Sequence, residues 1–370
     1  MRDSAMPEHR TALPERRAGG LPVHALREDD LAACRASLAA NSKTFHAASL
    51  LLPPSVRAPA TVLYGFCRLA DDAVDVDGGQ QEAIARLRSR LDSVYAGRPQ
   101  AEAADRALAA VVSQYAIPRE LPEFLIEGLA WDAAGRDYET LEELYAYAAR
   151  VAGAVGAMMS LLMGVRSPAA LARACDLGVA MQLSNIARDV AEDARMGRIY
   201  LPKRWLREAG IEPEAWLAAP VYDQALAGVV QRLLDAAHGL YQRVGAGVSQ
   251  LPLGCRPGIN AARFMYAEIG HQVRRQIARH GTDALGRRAV VPNGRKCLLL
   301  LRSALALWPP SRGLVDEALA ANRPLLDWVA ASTAAPPWPV EPLPEIGSVG
   351  VVLGLFERLE RQDRMARSAA

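Results

Sequence analysis

The sequence predicts an all-α protein, a single large helical domain wrapped around a central cavity, on three observations. Apolar residues, mostly Ala and Leu, recur at three- and four-residue spacing with few alternating runs. Clusters of Pro and Gly punctuate the chain and leave helix-length segments between them. With 370 residues, 51% of them hydrophobic, there is ample material for a large core.

Taken in order, residues 1–22 read as a disordered leader, with Pro7, Pro14, Gly19, Gly20 and Pro22 and little apolar content. Ordered helix is expected from near Glu28, in a main domain spanning residues 23–330. Breaks follow at Pro53-Pro54, Asp77-Gly78-Gly79, Gly97-Arg98-Pro99, Ile117-Pro118, Ser167-Pro168, Pro202, Gly210 to Pro213, Pro252 to Pro257, Pro292-Asn293-Gly294 and Pro309-Pro310. The apolar run from Val151 to Val165 is short of the about 20 residues a membrane span needs, and is rich in Gly, so it reads as a buried core helix. Residues 331–370 are expected to form a proline-rich loop, Ala335 to Pro344, and a C-terminal helix, Val349 to Arg361, with a tail. No fixed-period repeat or shift of composition marks a further domain boundary.

Composition narrows the function classes. A net charge of +2 argues neither for nucleic acid nor for an anionic membrane, and no nucleic-acid partner is expected. The five cysteines, Cys34, Cys67, Cys175, Cys255 and Cys297, are scattered and form no C-x-x-C pair, which fits reduced thiols rather than zinc or a disulfide framework. The N-terminus has no apolar signal region, so a cytoplasmic location is expected.

Two acidic clusters carry the chemistry. Arg68, Asp71, Asp72 and Asp75 share one helical face, and so do Gln182, Asn185, Asp189 and Asp193, more than a hundred residues downstream. Like charges one turn apart destabilise a helix by roughly 0.2–0.5 kcal/mol per pair. Each cluster follows a largely apolar stretch, Val62 to Cys67 and Ala174 to Ala187, so the carboxylates need a compensating partner. A hard divalent cation that also bridges to substrate phosphates supplies one. The basic loop Arg195 to Pro202 follows the second cluster and is placed to close over an anion. Salt-bridged surface helices are the plainer reading of both clusters.

The runs Gln182 to Pro202 (QLSNIARDVAEDARMGRIYLP) and Phe66 to Asp75 (FCRLADDAVD) resemble the two aspartate-rich motifs of the squalene/phytoene synthase family. Asn41-Ser42-Lys43-Thr44-Phe45 with Leu51-Leu52-Pro53 is similar to the family's N-terminal substrate loop. Tyr147 to Met159 looks like the helix lining its cavity, and Cys255 to Tyr266 like the late helix of its phytoene synthase branch. The five motifs stand in the family's order.

The resemblance implies the isoprenoid synthase fold and a prenyltransferase of carotenoid biosynthesis. Two geranylgeranyl diphosphates would join head to head through prephytoene diphosphate, giving phytoene and two diphosphates. The alternative within the family is a farnesyl-diphosphate enzyme making presqualene diphosphate, dehydrosqualene or squalene. A relative without activity is disfavoured by the intact aspartates. Carried onto this sequence, Asp71, Asp72, Asp75, Asn185, Asp189 and Asp193 would hold Mg²⁺, with Mn²⁺ as the substitute. Ser42, Lys43, Thr44, Phe45, Arg68, Gln182, Arg188 and Arg288 would bind substrate; the spacing from Tyr266 to Arg288 is longer than the family usually shows. Tyr147 and Tyr266 would line the cavity, Tyr147 with a catalytic role. Gly153, Ala154, Gly156 and Ala157 would make room for an isoprenoid chain, or pack helices closely. NADPH is not expected. An apolar product suggests peripheral membrane contact and handover to a downstream carotenoid desaturase.

Overall fold

The computed structural model describes residues 25–74, 79–307 and 317–332. The expected leader and the expected loop and helix beyond residue 332 lie outside the described residues, as does Asp75. Among the described residues every regular element is helical, as the sequence predicts. In chain order these are α1 (Glu28–Asn41), α2 (Lys43–Ser49), α3 (Pro54–Val74), α4 (Gln80–Tyr95), α5 (Ala103–Gln114), α6 (Glu120–Ala133) and α7 (Leu141–Ala148). A π-helical turn, Ala149–Gly153, joins α7 to α8 (Ala154–Leu162). Then come α9 (Pro168–Arg195), α10 (Lys203–Glu208), α11 (Pro213–Ala218), α12 (Gln224–Val248), α13 (Arg256–His280), α14 (Asn293–Leu305) and α15 (Arg323–Ala331).

Local chemistry sets the helix starts. Ser167 caps α9 by accepting from Ala170 N at 3.3 Å, with Pro168 in the first turn, where its missing N–H costs nothing. Asp223 caps α12 at Leu226 N, 2.9 Å. Thr140 and Glu143 close a reciprocal capping box on α7. Pro59 lies inside α3 and cannot bond the Ser55 carbonyl one turn back; the Tyr115 hydroxyl donates to that carbonyl at 3.2 Å instead. Arg57 donates to the carbonyls of Ser49, Leu50 and Leu52 at 2.8–3.1 Å, fixing the turn between α2 and α3.

α9 runs through the middle and packs against α8, α12 and α13. Its closest approaches are made by glycine. A Cβ on Gly178 would stand 2.2 Å from the Ala152 carbonyl oxygen, and one on Gly156 would stand 2.3 Å from that of Ala174. Backbones that close leave no room for any side chain. The stretch Leu141–Leu162 is long and apolar enough to cross a membrane by length and composition, but most of it is buried in the protein, which fits the core helix the sequence suggests.

A charged knot ties one end of α9 to its neighbours. Arg173 and Asp176 are both fully buried and pair at 3.0 Å. Asp176 also receives Arg243 from α12 at 3.3 Å and the Asn322 amide at 3.0 Å. Two arginine charges and one amide donor around one buried carboxylate offset part of its desolvation cost.

Gly178→Ala is expected to destabilise the protein by about 1–3 kcal/mol, because two helix backbones must separate. Gly228→Ala, on the exposed face of α12 with nothing within 4 Å of the added Cβ, is expected to stabilise by about 0.5–1 kcal/mol. Urea unfolding followed by circular dichroism reads both signs.

Candidate active site

One face of α9 forms the wall of a cavity of about 1210 Å³, its open mouth included. Asn185 and Gln182 stand at one end of that face; Gly178, Leu177 and Ala174 follow, and Arg173 of the charged knot lies with Ala170 at the other end. Met159 of α8 and Met163 just after it, Val244 and Val248 of α12, and Leu63 and Tyr64 of α3 make the other walls. Tyr266 of α13 and Ser42, between α1 and α2, also line it. The lining is largely apolar, so the cavity suits a hydrocarbon chain with a polar head at the Asn185 end.

The small residues divide. Gly156 lines the cavity, whereas Gly153, Ala154 and Ala157 do not and are buried between helices. Close packing is their main role. Cys67 lines the cavity as a neutral thiol, its pKa pushed up to about 12 by burial and then by the Asp71 charge. All five cysteines are free.

Both acidic clusters meet arginine. At the end of α3, Arg68 donates to Asp71 at 2.9 Å and through Nε to Asp72 at 3.1 Å. On α9, Arg188 Nε lies 2.7 Å from Asp189 Oδ1. Arg288, ninety-nine positions downstream, places Nε 2.9 Å from the same oxygen and Nη1 3.5 Å from Glu192. The long spacing after Tyr266 therefore does not remove Arg288 from the cluster; a 3₁₀ turn, Thr282–Gly286, carries the chain back to α9. Asp193 bears no such partner, and its carboxyl is pushed up to about 7 by burial and by the charges of Asp189 and Glu192, with Arg198 opposing.

The residue that joins the clusters is Asp132, at the end of α6. Its carboxylate accepts from Tyr147 and Tyr200, each at 2.8 Å. It interacts electrostatically with Asp71 of the first cluster and Asp193 of the second, so the three helix ends face one another. Burial pushes the Asp132 carboxyl up to about 6; the two tyrosine hydroxyls and Arg198 pull it down, and Asp71 adds to the rise. The rings of Tyr147 and Tyr200 stack at 5.3 Å, with Tyr138 5.2 Å from Tyr147.

The structure corrects the expectation for Tyr147. It does not line the cavity; its buried ring stands in the tyrosine stack with its hydroxyl on Asp132. Tyr266, Ser42, Gln182 and Asn185 do line it. Lys43, Thr44 and Phe45 fall on α2 next to Ser42, their side chains outside the description. Asp132 was missed by sequence reasoning. Its one local signal is a carboxylate in a helix whose other buried residues, such as Phe124, Leu125 and Leu129, are apolar. Its partners lie 15 and 68 positions away.

Among the described residues no three Asp, Glu, His or Cys side chains converge on one point. The donor set is instead a carboxylate pair on each side, Asp71 with Asp72 and Asp189 with Asp193, supplemented by the Asn185 amide. That set fits Mg²⁺, which keeps water and phosphate ligands and takes only one or two carboxylates from protein.

Comparison with known proteins adds a family. Residues 38–295 match the profile of the family described as Squalene/phytoene synthase. The chain is 50% identical over 347 residues to a phytoene synthase of Cereibacter sphaeroides, covering 90% of this chain and 95% of the relative. It is 52% identical to a phytoene synthase of Rhodobacter capsulatus over 76% of this chain and 83% of the relative. A crystal structure of a dehydrosqualene synthase superposes with a TM-score of 0.67 at 30% identity, covering 76% of this chain and 97% of that one.

Because the folded protein holds the Asp132 proton more tightly than the unfolded chain, this group's contribution to stability is complete below about pH 4 and is lost as pH rises through about 6. Urea titrations of the metal-free protein should therefore show Asp132→Asn removing a stability decline in that window. Superimposable pH profiles for the two proteins would contradict the assignment.

Proposed function

The chain belongs to the squalene/phytoene synthase family, and from that premise we propose that it condenses two geranylgeranyl diphosphates head to head, with Mg²⁺ at its aspartates. It is a prenyltransferase of carotenoid biosynthesis, and its substrates are prenyl diphosphates. The observation that carries the finer reading is the meeting of two arginine-backed carboxylate pairs at the polar end of one long apolar cavity.

In this reading Asp71 and Asp72, joined by Asp75, hold the ion at one diphosphate, and Asn185, Asp189 and Asp193 at the other. Arg68, Arg188, Arg288 and Lys43 bind diphosphate oxygens, Gln182 supports the second set, and Ser42, Thr44 and Phe45 belong to the substrate loop. Bound Mg²⁺ supplies neutralisation of the charge that develops on the departing diphosphate. The apolar walls keep water from the allylic cation, and the faces of Tyr64 and Tyr266 offer it quadrupole stabilisation. Asp132 holds Tyr147 and Tyr200 in place beside both diphosphate sites.

Cavity length supports a C20 chain. From Asn185 to Ala170 the lining face of α9 runs about 22 Å at 1.5 Å per residue. An extended geranylgeranyl backbone, with C–C bonds of about 1.5 Å, has a comparable length. The condensation ends in proton loss, so NADPH is not needed. A cytoplasmic protein in peripheral membrane contact, passing its hydrocarbon to a desaturase, completes the reading.

Product analysis by mass spectrometry tests it. With geranylgeranyl diphosphate and Mg²⁺, and without NADPH, a C40 hydrocarbon is expected. A C30 product from farnesyl diphosphate instead would move the chain to the squalene branch. Asp72→Ala and Asp189→Ala should each lower kcat by at least about 10²–10³-fold with the helical circular dichroism spectrum unchanged, and near-normal turnover in either would refute the assignment of the clusters.

A further inference from the structure

α14 has two apolar faces. Leu299, Leu300 and Ser303 are buried against Ala47, Ala48 and Leu51 of the α2 region and Ala261, Ala262 and Met265 of α13. The other face shows a row of leucines to solvent: Leu298 is 52% exposed, Leu301 43% and Leu305 73%. They follow i, i+3, i+7 spacing and share a stripe along the helix. Val290, just before α14, is 71% exposed. A solvated helix face normally carries charge.

The helix on which α14 packs, α13, carries a basic hollow of about 910 Å³, open to solvent, where it meets the following 3₁₀ turn. Arg275, Arg279, His280 and Arg287 line it against a single carboxylate, Asp283. Arg279 and Arg287 are exposed and form no ion pair among the described residues. Ridge and hollow are carried by two helices packed against each other. Glu268 of α13 pairs with Arg275 of the hollow and with Arg295 in the first turn of α14, the latter at 3.1 Å.

We propose that this side of α13 and α14 docks on an anionic lipid bilayer, the leucine ridge entering the acyl boundary while Arg279 and Arg287 meet headgroup phosphates. Apolar ridge and unpaired cations together match an interfacial surface; a second copy of the chain would satisfy the leucines but leave the arginines without counter-charge. The position also suits a lipid-handling enzyme. Ala262, against which the inner face of α14 packs, lines the cavity on its other side, so one helix separates the docked surface from the cavity. The inference extends the functional reading but does not depend on it, because docking is measured without substrate.

The test is cosedimentation of the full chain with phosphatidylcholine vesicles, with and without one third phosphatidylglycerol. The wild-type protein should sediment with the anionic vesicles and be released by salt. Arg279→Gln/Arg287→Gln should weaken partitioning roughly thirtyfold, from about a factor of five per basic residue. Leu298→Glu/Leu301→Glu/Leu305→Glu should abolish it. Both variants should keep the wild-type turnover of detergent-dispersed prenyl diphosphate, since none of these residues touches the site. The proposal is overturned if the wild type ignores anionic vesicles, or if the leucine variant partitions as the wild type does. It is equally overturned if the wild type is a dimer that the leucine variant dissociates while neither binds vesicles, which would make the ridge a self-association surface.

Discussion

The burial of several carboxylates close together beside an apolar cavity is the constraint around which this molecule is built. Asp71, Asp132 and Asp193 come from three helices, and Asp132 interacts with each of the other two. Burial makes these carboxylates resist ionisation and neighbouring like charge adds to it, which raises Asp132 and Asp193. The surroundings answer with cations and donors: Arg68 on the first pair, Arg188 and Arg288 on Asp189, two tyrosine hydroxyls on Asp132. In the proposed reading a divalent ion and a diphosphate would together satisfy these aspartates and arginines better than either set satisfies the other.

The remainder of the fold serves the cavity behind those charges. α9 supplies both the second aspartate pair and a continuous lining face, so the polar head and hydrocarbon chain of a ligand are placed by a single rigid element. Glycine contacts at Gly156 and Gly178 bring α9 against the α7–α8 helix so tightly that backbone meets backbone. The opposite end is bounded by Arg173 and Asp176, whose pairing is completed by Arg243 and Asn322. A cavity bounded by a buried ion pair has a more defined length than apolar packing alone, tolerant of repacking, would give it.

What the sequence determined by itself is what repeats locally. The helical class and the start near Glu28 follow from three- and four-residue periodicity, and the breaks at Ser167-Pro168 and Pro292 from capping and proline chemistry. Both aspartate clusters were legible because their members sit one turn apart on one helix, where sequence spacing is spatial neighbourhood. Only the tertiary structure decided which separate helices would converge. Asp132 with Tyr147 and Tyr200, Arg288 on Asp189, and Asp176 with Arg243 and Asn322 link residues 15 to 146 positions apart. The expected cavity role of Tyr147 failed for the same reason: the side of a helix that meets a cavity, rather than an aspartate, depends on how neighbouring helices pack around it, and no periodicity within one helix encodes the position of another.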